Sequence, residues 1–395
     1  MNKIVIYSSI ALALMLSACG SSSDTTQTTT LTSGQLVDNY VQNMDYQCND
    51  GKISVTDRNG SFECTTLPVR FRLGELQLGE IAVIPDDGQV LPQDLVGVSR
   101  ADLNNSTVKA MAQFLQSLDD DANPDNGIYI QDQIKNSFTT QTEFTLEDVD
   151  TYTLETNTTL IDENTTTQHL TLSTEFVEAI DAADIPTYIK EALLTPANNL
   201  TQDVKNTISF MGNEERLAYD VYEYLYNYHI NNSSTTINQL TNIATKSETK
   251  HILTVQLLVK KYINTLSDFT NLDATDNLDA NMSYVDLAAD EMPAGIYNVQ
   301  HIQDLYDSLT AKGIESKQAA LEVGCIVEVV DVDDLEHELI LAHESNASDV
   351  VTAFEFLRDG SYKHYWAFDK GLRNMGLDGC CVLGAEYCHP EYPQN

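Results

Sequence analysis

Basic residues are scarce in this chain of 395 residues, which has 21 Lys and Arg against 60 Asp and Glu and a formal net charge of −39. Binding to nucleic acid relies on clustered Lys and Arg, so this composition argues against a nucleic-acid partner. It also argues against electrostatic docking on anionic lipid headgroups. The hydrophobic fraction of 42% is sufficient for real cores, and the length predicts two or three folded units.

The apolar stretch near the N-terminus, Ile4 to Leu16, is too short to span a bilayer and fits a secretory signal. Its ending, Leu-Ser-Ala-Cys, resembles a bacterial lipobox. That resemblance implies a lipoprotein signal peptide at 1–18 and an acylated Cys19, bearing palmitate or a similar chain. The alternative is an ordinary signal peptide in which Cys19 is incidental. We expect a membrane anchor through Cys19 in the cell envelope, periplasmic or on the outer surface, and a flexible Ser- and Thr-rich tether over 19–33.

Export permits disulfides, and the first cysteine pair after the tether is Cys48 and Cys64. Turn dipeptides and short alternating segments lie between them, which predicts a hairpin closed by a disulfide. A metal site at this pair would need a second pair or a nearby His, and the neighbouring sequence offers neither.

An acidic run follows the amphipathic helix predicted over 107–118. Its side chains at Asp121, Asn123, Asp125 and Asp132 approximate a calcium loop. The glycine comes one place late, however, and a proline interrupts the run, so we favour an Asx-rich surface turn over a calcium site. The stretch from Cys48 to the acidic run loosely resembles a module of bacterial surface lipoproteins. We therefore assign 34–136 to a small mixed α/β module.

The interval 137–202 is predicted to be a Thr-rich spacer with a connecting helix. Its first part is rich in Thr, Asn, Asp and Glu and lacks a convincing apolar face. Residues 175–194 carry apolar residues at roughly helical spacing, interrupted by Pro186.

Four amphipathic helices are predicted in the C-terminal half, about 203–230, 236–263, 316–342 and 349–375. Each has an acid or a histidine at mid-length on an otherwise apolar stripe. The stripes run through Ile208, Met211, Glu215, Ala218, Tyr222 and Leu225; Ile243, Ala244, Glu248, His251, Val255 and Leu258; Leu321, Cys325, Glu328, Asp331 and Leu335; and Val350, Phe354, Leu357, Ser361, His364 and Phe368.

Burying a single carboxylate costs several kcal/mol unless a partner compensates its charge. A divalent metal pair would compensate all of these groups at once. Helix bundles build di-iron and di-manganese sites in this way, with a Glu from each of two helices and Glu-x-x-His from the others. In isolation, each group has an ordinary structural explanation, such as a helix salt bridge at Glu248 and His251 or an inward Glu214 in place of Glu215. Their occurrence at one level of four helices favours metal binding.

Four motifs in the same half resemble a ferritin-like bacterial family, domain of unknown function 2202. The segment EERLAYDVY at 214–222 resembles that family's E-E-K-L-A-R-D-V-Y, and SETKH at 247–251 resembles its S-E-x-x-H. The segment GCIVEVVDVDDL at 324–335 resembles G-A-x-I-E-E-x-D-I-x-D-L, and GSYKH at 360–364 resembles G-S-x-x-H. The resemblance covers about 203–395 and implies a ferritin-like four-helix bundle with a long crossover.

The resemblance also implies a ligand set for one or two ions of iron or manganese: Glu215, Glu248, His251, Glu328, Asp331 and His364. Two departures weaken it. Ser361 stands where a ferritin-like fourth helix would carry a Glu, and Val329 replaces a second Glu on the third helix. One metal, or an asymmetric pair, therefore remains open. The bundle could also mediate a homodimer.

Three classes of function fit these features. The first is a metal-dependent oxidoreductase acting on oxygen or peroxide. The second is a metal-binding or storage module held outside the cell, and the third is a structural surface lipoprotein without catalysis.

The crossover between the helix pairs is predicted over 264–315, with a short helix at about 299–312. Near the C-terminus, we expect Cys380 or Cys381 to form a disulfide with Cys388. A Cys-Cys-Cys-His metal site is the alternative. Cys325, one turn before Glu328, is predicted to be a buried thiol rather than a redox-active neighbour of the metal.

Overall fold

The computed structural model describes residues 31–263, 284–297 and 299–394. The predicted signal peptide, Cys19 and most of the predicted tether lie outside this range, as does 264–283 of the predicted crossover. The described chain is mainly helical, with a small α/β region at its N-terminal end. Within the described ranges, no helix is long and apolar enough to cross a bilayer.

The N-terminal region contains three small sheets. One has the strand order β5-β1-β8, a second has β10-β7-β6-β3-β4, and a third pairs β2 with β9. Buried and half-buried residues alternate along β6, as expected for a strand with one face on a core. The strands are β1 (Thr32–Leu36), β2 (Val41–Gln42), β3 (Asp45–Cys48), β4 (Ile53–Val55), β5 (Ser61–Cys64), β6 (Val69–Leu73), β7 (Leu76–Ile81), β8 (Gln89–Val90), β9 (Ile128–Tyr129) and β10 (Thr142–Glu143).

The predicted disulfide between Cys48 and Cys64 is present, with a Cα–Cα distance of 5.5 Å. It joins the end of β3 to the end of β5. These strands belong to different sheets, so the bridge connects two sheets rather than closing one hairpin. Both cysteines are buried in the core of the region.

Six helices alternate with the last strands, and the final three of them lie in the interval 137–202 that the sequence predicts to be a spacer. They are α1 (Pro92–Val96), α2 (Ser106–Ser117), α3 (Asp132–Lys135), α4 (Val149–Thr156), α5 (Glu163–Ala182) and α6 (Thr187–Leu193). Helix α5 has 20 residues and packs against α2, so this part of the interval is not a polar linker.

Half of the buried residues of α5 are polar, which explains why its hydropathy pattern is weak. The buried face contains Thr166, His169 and Thr174 beside Leu170 and Val177. The Thr174 hydroxyl accepts a hydrogen bond from the Gln93 side chain at 3.1 Å. Threonine and histidine count as polar in a sequence pattern but can pack in a core when hydrogen-bonded.

The described part of the C-terminal half contains six α-helices. They are α7 (Gln202–Ser233), α8 (Asn238–Ile243), α9 (Thr249–Tyr262), α10 (Gln300–Gly313), α11 (Lys317–Glu344) and α12 (Ser348–Arg373). Side chains cap several of them; for example, the Thr201 hydroxyl accepts from the Val204 amide at the start of α7. Short 3₁₀ turns cover Pro124–Asn126, Leu146–Asp148, Tyr284–Asp286, Ala289–Glu291, Gly379–Leu383 and Ala385–Tyr387.

Four of these helices pack in a closed ring, in which α7 contacts α9 and α11, and α12 contacts the same two helices. All residues of the four predicted stripes are buried. The second predicted helix differs from expectation, because a π-helical turn at Ala244–Glu248 separates α8 from α9. Helix α10 lies outside the ring against α7 and α11.

Arg216 fastens the described end of the crossover to α7. Its side chain is fully buried and donates hydrogen bonds to the carbonyl oxygens of Pro293 and Ile296. The guanidinium also lies over the ring of Tyr297, 4.5 Å from its centroid. Its Nε is 3.8 Å from the buried carboxylate of Asp220.

The cysteines near the C-terminus correct one prediction and decide another. Cys325 is not a free thiol but forms a disulfide with Cys380, which ties α11 to the C-terminal segment. Cys381 pairs with Cys388, one of the two pairings expected for the tail. The local spacing could not reveal the first bridge because its cysteines are 55 residues apart.

Candidate metal centre

The six predicted metal ligands are all buried at the middle of the helix ring. Their exposed fractions are 2% for Glu215, 1% for Glu248, 1% for His251, 2% for Glu328, 8% for Asp331 and 6% for His364. They come from α7, the junction of the π turn with α9, α11 and α12.

Glu248 occupies the centre of the cluster and contacts both histidines. Its Oε2 is 3.1 Å from Nδ1 of His251, and its Oε1 is 3.1 Å from Nδ1 of His364. The two imidazole rings lie 5.5 Å apart between centroids and are nearly parallel, at 28°. One carboxylate therefore lies between two imidazoles, each approached through Nδ1.

A second carboxylate flanks each histidine. Oε2 of Glu215 is 2.9 Å from Nδ1 of His251, and Oε2 of Glu328 is 3.3 Å from Nδ1 of His364. The cluster thus contains two three-residue groups whose ligand atoms lie within 4.8 Å of one another: Glu215, Glu248 and His251, and Glu248, Glu328 and His364. Glu248 belongs to both groups.

The π turn ends at Glu248, three residues before His251. A π turn widens the helix locally and is frequent at functional sites. Beyond it, the regular spacing of α9 keeps Glu248 and His251 on the same side of the helix, as their salt-bridge contact requires.

Tyr222 supports Glu328 from the neighbouring helix. Its hydroxyl donates a hydrogen bond of 2.5 Å to Oε1 of Glu328, which leaves Oε2 directed at His364. The Tyr222 ring packs on Phe368, with 5.2 Å between centroids. Gly324 makes room for Phe368, since a Cβ there would lie 2.4 Å from its ring.

His251 is fixed by close packing on its outer side. A Cβ built on Gly360 would lie 2.4 Å from both Cε1 and Nε2 of His251, so only glycine fits at this position of α12. The Phe356 ring meets the imidazole edge to face at 5.2 Å. The ring is therefore held with Nδ1 facing the carboxylates.

Asp331 lies beside the two three-residue groups and is held from α12. The Ser361 hydroxyl donates a hydrogen bond of 2.5 Å to Oδ2 of Asp331. Ser361 occupies the position at which a ferritin-like fourth helix would carry a Glu. The helix α11 carboxylate therefore occupies space next to that position.

Burial and mutual repulsion act to raise the pKa values of the carboxylates, whereas contacts with the histidines act to lower them. Burial raises the pKa of Glu215 to about 7 despite its contact with His251, and it raises the pKa of Asp331 well above its usual range. Burial also disfavours the charged form of Glu248, but His364 and His251 outweigh it and lower its pKa. For His364, the carboxylates of Glu248 and Glu328 outweigh burial and raise the pKa to about 10.

The donor set fits divalent cations in number, type and charge. Oε1 of Glu215 is buried and lacks a hydrogen-bond donor among the described residues. Two protonated histidines would carry two positive charges against the four carboxylates of Glu215, Glu248, Glu328 and Asp331. Two divalent cations with neutral histidines would balance the same four charges. Carboxylate oxygen and imidazole nitrogen suit manganese and iron, respectively.

The structure does not bring the four predicted calcium ligands together. Oδ1 of Asp132 is 3.1 Å from the Lys135 ammonium, and Asp121 accepts hydrogen bonds from Asn123 and Asn126 within its own turn. The Asp125 carboxylate lies instead 3.7 Å from Nε2 of His169. Within the described ranges, the acidic group in this turn consists of Asp119, Asp120 and Asp121.

Several features of the centre had no usable signal in the sequence. The Ser361–Asp331 hydrogen bond links different helices, and the small residue at Gly360 is explained only by the position of His251. Glu214, weighed as an alternative to Glu215, is also buried, on a different side of α7. The π turn resembles ordinary helix in the sequence.

The helical half with this carboxylate–histidine cluster also has relatives. The model of a family described as "Uncharacterized protein domain (DUF2202)" matches residues 204–381, which confirms the resemblance for the C-terminal half. An uncharacterized protein of Methanocaldococcus jannaschii is 29% identical over 181 residues, which are 46% of this chain and 81% of that protein. A crystal structure of a hypothetical protein from Methanococcus jannaschii matches at 28% identity with a TM-score of 0.37, covering 46% of this chain and 87% of that one.

Proposed function

We propose that residues 203–395 form a ferritin-like four-helix bundle that binds iron or manganese through Glu215, Glu248, His251, Glu328, Asp331 and His364. The observation that carries this proposal is the position of Glu248, whose two oxygens each lie 3.1 Å from a different histidine. A carboxylate in that position can bridge two ions. The ring of α7, α9, α11 and α12 supplies the helix arrangement that such a centre requires.

The charge of the cluster supports two ions rather than none. A network of carboxylates and protonated histidines without metal would leave two of four buried negative charges without a cation. Isolated buried charges cost several kcal/mol each, so a metal-free cluster would have to take up further protons. Two divalent cations remove that need.

Asp331 supplies the carboxylate that is missing at position 361. In the ferritin-like pattern, the fourth helix contributes a Glu three residues before its His, and this chain has Ser361 there. The Ser361 hydroxyl holds Asp331, so a carboxylate from α11 approaches the centre in its place. The expected pair of ions is asymmetric, because α11 then contributes two carboxylates and α12 only a histidine.

The burial of the ligands limits the substrate to small molecules. None of the six exceeds 8% exposure, which leaves access for dioxygen or peroxide but not for a bulky substrate. A bound iron or manganese pair supplies redox chemistry toward such molecules. The protein residues hold the ions, keep bulk water out and hold protons at the two imidazoles when metal is absent. We propose an oxidoreductase on this ground, with metal storage as the alternative.

We also propose that the chain is an exported lipoprotein anchored through Cys19. The six cysteines of the described ranges all form disulfides, which is typical of proteins in oxidising compartments. Replacing Cys19 by Ala should leave an uncleaved or mislocalised precursor without lipid label. Normal processing and membrane retention of this variant would contradict the proposal.

Metal analysis of the purified full-length protein tests the central proposal. The wild type should contain up to two equivalents of iron or manganese, and Glu248→Gln should weaken binding by more than about tenfold because it removes the shared ligand. Glu223→Gln on the same helix as Glu215 is the matched control and should bind like the wild type. Wild-type metal content in Glu248→Gln would refute the shared centre.

Peroxide consumption separates an oxidoreductase from a storage module. The metal-loaded protein should consume peroxide catalytically, over many turnovers, and Glu248→Gln should not. Stoichiometric reaction with peroxide followed by retention of the metal would favour storage.

A further inference from the structure

Glu214 is a buried carboxylate that the six-ligand centre does not use. It directly precedes Glu215 on α7 but faces α10 and α11. Only 6% of its surface is exposed, and its Oε2 has no hydrogen-bond donor in the part of the chain that the structure describes. A buried carboxylate without a donor is costly unless it takes up a proton or a cation, so the site of Glu214 can accommodate a positively charged ligand.

A small cavity lies beside Glu214 at the edge of the centre. It has a volume of about 20 Å³, and both Glu214 and Asp331 line it. The remaining lining is apolar, and three of its side chains, Leu305, Ile326 and Val330, are only half-buried. A volume of this size holds about one water molecule, which is also enough for one partly dehydrated metal ion.

A third carboxylate lies on the outer side of Glu214. Asp334 is half-buried, comes one helical turn after Asp331 on α11, and approaches the Glu214 side chain closely. Residues three apart on a helix share a face, so Asp331 and Asp334 both border the region of Glu214. Asp334 is the most exposed of these three carboxylates, and Asp331 belongs to the centre.

We propose that Glu214 is a transit site through which divalent cations reach the metal centre, entering past Asp334 and leaving to Asp331. This inference rests on the proposed metal-binding function. In each step a cation exchanges water or one carboxylate for the next carboxylate, without any change of oxidation state. The net charge of −39 would raise the local cation concentration at the outer end.

The kinetics of metal loading test the transit site separately from metal affinity. The full-length protein is stripped with a chelator and mixed with Co²⁺, whose visible absorption reports binding. Glu214→Gln should slow loading at least about tenfold in rate and leave the final number of bound ions unchanged. Asp334→Asn should slow it in the same direction, and Glu223→Gln, which removes an equal charge elsewhere on α7, should load at the wild-type rate.

Each other outcome has a definite meaning. Wild-type loading rates in both Glu214→Gln and Asp334→Asn would overturn the transit site while leaving the metal centre intact. A lower final number of bound ions in Glu214→Gln, with the wild-type melting temperature, would make Glu214 a ligand of the centre and would also overturn it. Failure of the wild type to bind Co²⁺, iron or manganese would refute the proposed function, and the transit site with it.

Discussion

The Ser361 hydroxyl donates a hydrogen bond of 2.5 Å to Oδ2 of Asp331, joining α12 to α11 at the level of the buried carboxylates. Both side chains are buried, with 1% and 8% exposure. This contact gives the serine a role at a position where a ferritin-like fourth helix would carry a Glu. It places a carboxylate from the third helix of the ring beside the position of the missing one.

If Asp331 takes the place of the missing Glu, exchanging the residue types at positions 331 and 361 should preserve metal binding. Asp331→Ser should weaken metal binding by more than about tenfold, because one carboxylate leaves the centre. The double variant Asp331→Ser/Ser361→Glu returns a carboxylate from α12 and should recover most of the affinity, measured by titration with Mn²⁺ or Co²⁺. Equal affinities for the single and double variants would contradict the exchange.

Removing only the Ser361 hydroxyl should have a smaller effect. In Ser361→Ala, Asp331 keeps its charge but loses the donor that orients it. We expect a loss of affinity of about tenfold, in the range typical of groups that orient a ligand. Ser348→Ala, at the exposed start of the same helix, is the control and should bind as the wild type does.

Stability of the metal-free protein should fall as the pH rises from 5 to 9. Burial raises the pKa of Glu215 to about 7, so the folded state binds more protons than the unfolded state between the ordinary Glu pKa and pH 7. The carboxylate neighbours of His364 raise its pKa to about 10, so the loss of stability with rising pH continues above the ordinary His pKa. Chemical denaturation should show a loss of about 1–3 kcal/mol between pH 5 and 8.

The metal-bound protein should reverse this trend. Binding requires neutral histidines and ionised carboxylates, so metal affinity rises with pH over the same interval. A hundredfold excess of metal over the Kd adds about 2.7 kcal/mol to the stability. Parallel pH profiles for the stripped and loaded forms would show that the titrating groups are not those that hold the metal.

Gly360→Ala should destabilise the protein although it replaces glycine within a helix. Such a change ordinarily stabilises a helix by about 0.5–1 kcal/mol. Here the new Cβ would lie 2.4 Å from Nε2 of His251, so the ring must move. We expect a cost of about 1–3 kcal/mol in unfolding free energy and weaker metal binding. Ser348→Ala on the same helix is the control. Gly376→Ala is unsuitable, because Gly376 has a positive φ and any other residue would be strained there.

The Cys325–Cys380 disulfide should contribute strongly to stability. It closes a loop of 55 residues, for which the chain-entropy relation gives about 4 kcal/mol. Cys325→Ala/Cys380→Ala should lower the free energy of unfolding by about that amount under oxidising conditions. Under reducing conditions, the variant and the wild type should have nearly the same free energy of unfolding, because the wild type then also lacks the bridge.

Sequence patterns were sufficient for the helices around the centre, because each of them carries a stripe of buried residues at helical spacing. The stripe through Glu215 and Tyr222 faces the core as predicted, and the same holds for the stripe through Ser361 and His364. They were not sufficient for α5, whose buried face contains Thr166, His169 and Thr174. A pattern of apolar residues cannot detect a core-facing helix on which polar side chains take the place of apolar ones.

The sequence by itself determined the excess of acids, the four helices, and the carboxylates and histidines at one level, because residue type and helical period decide which side chains share a face. Only the tertiary structure decided that Glu248 lies between His251 and His364, that Ser361 holds Asp331, and that Cys325 pairs with Cys380. These relationships join residues on different helices. They depend on how the helices rotate and shift against one another, and the spacing within one helix carries no information about that.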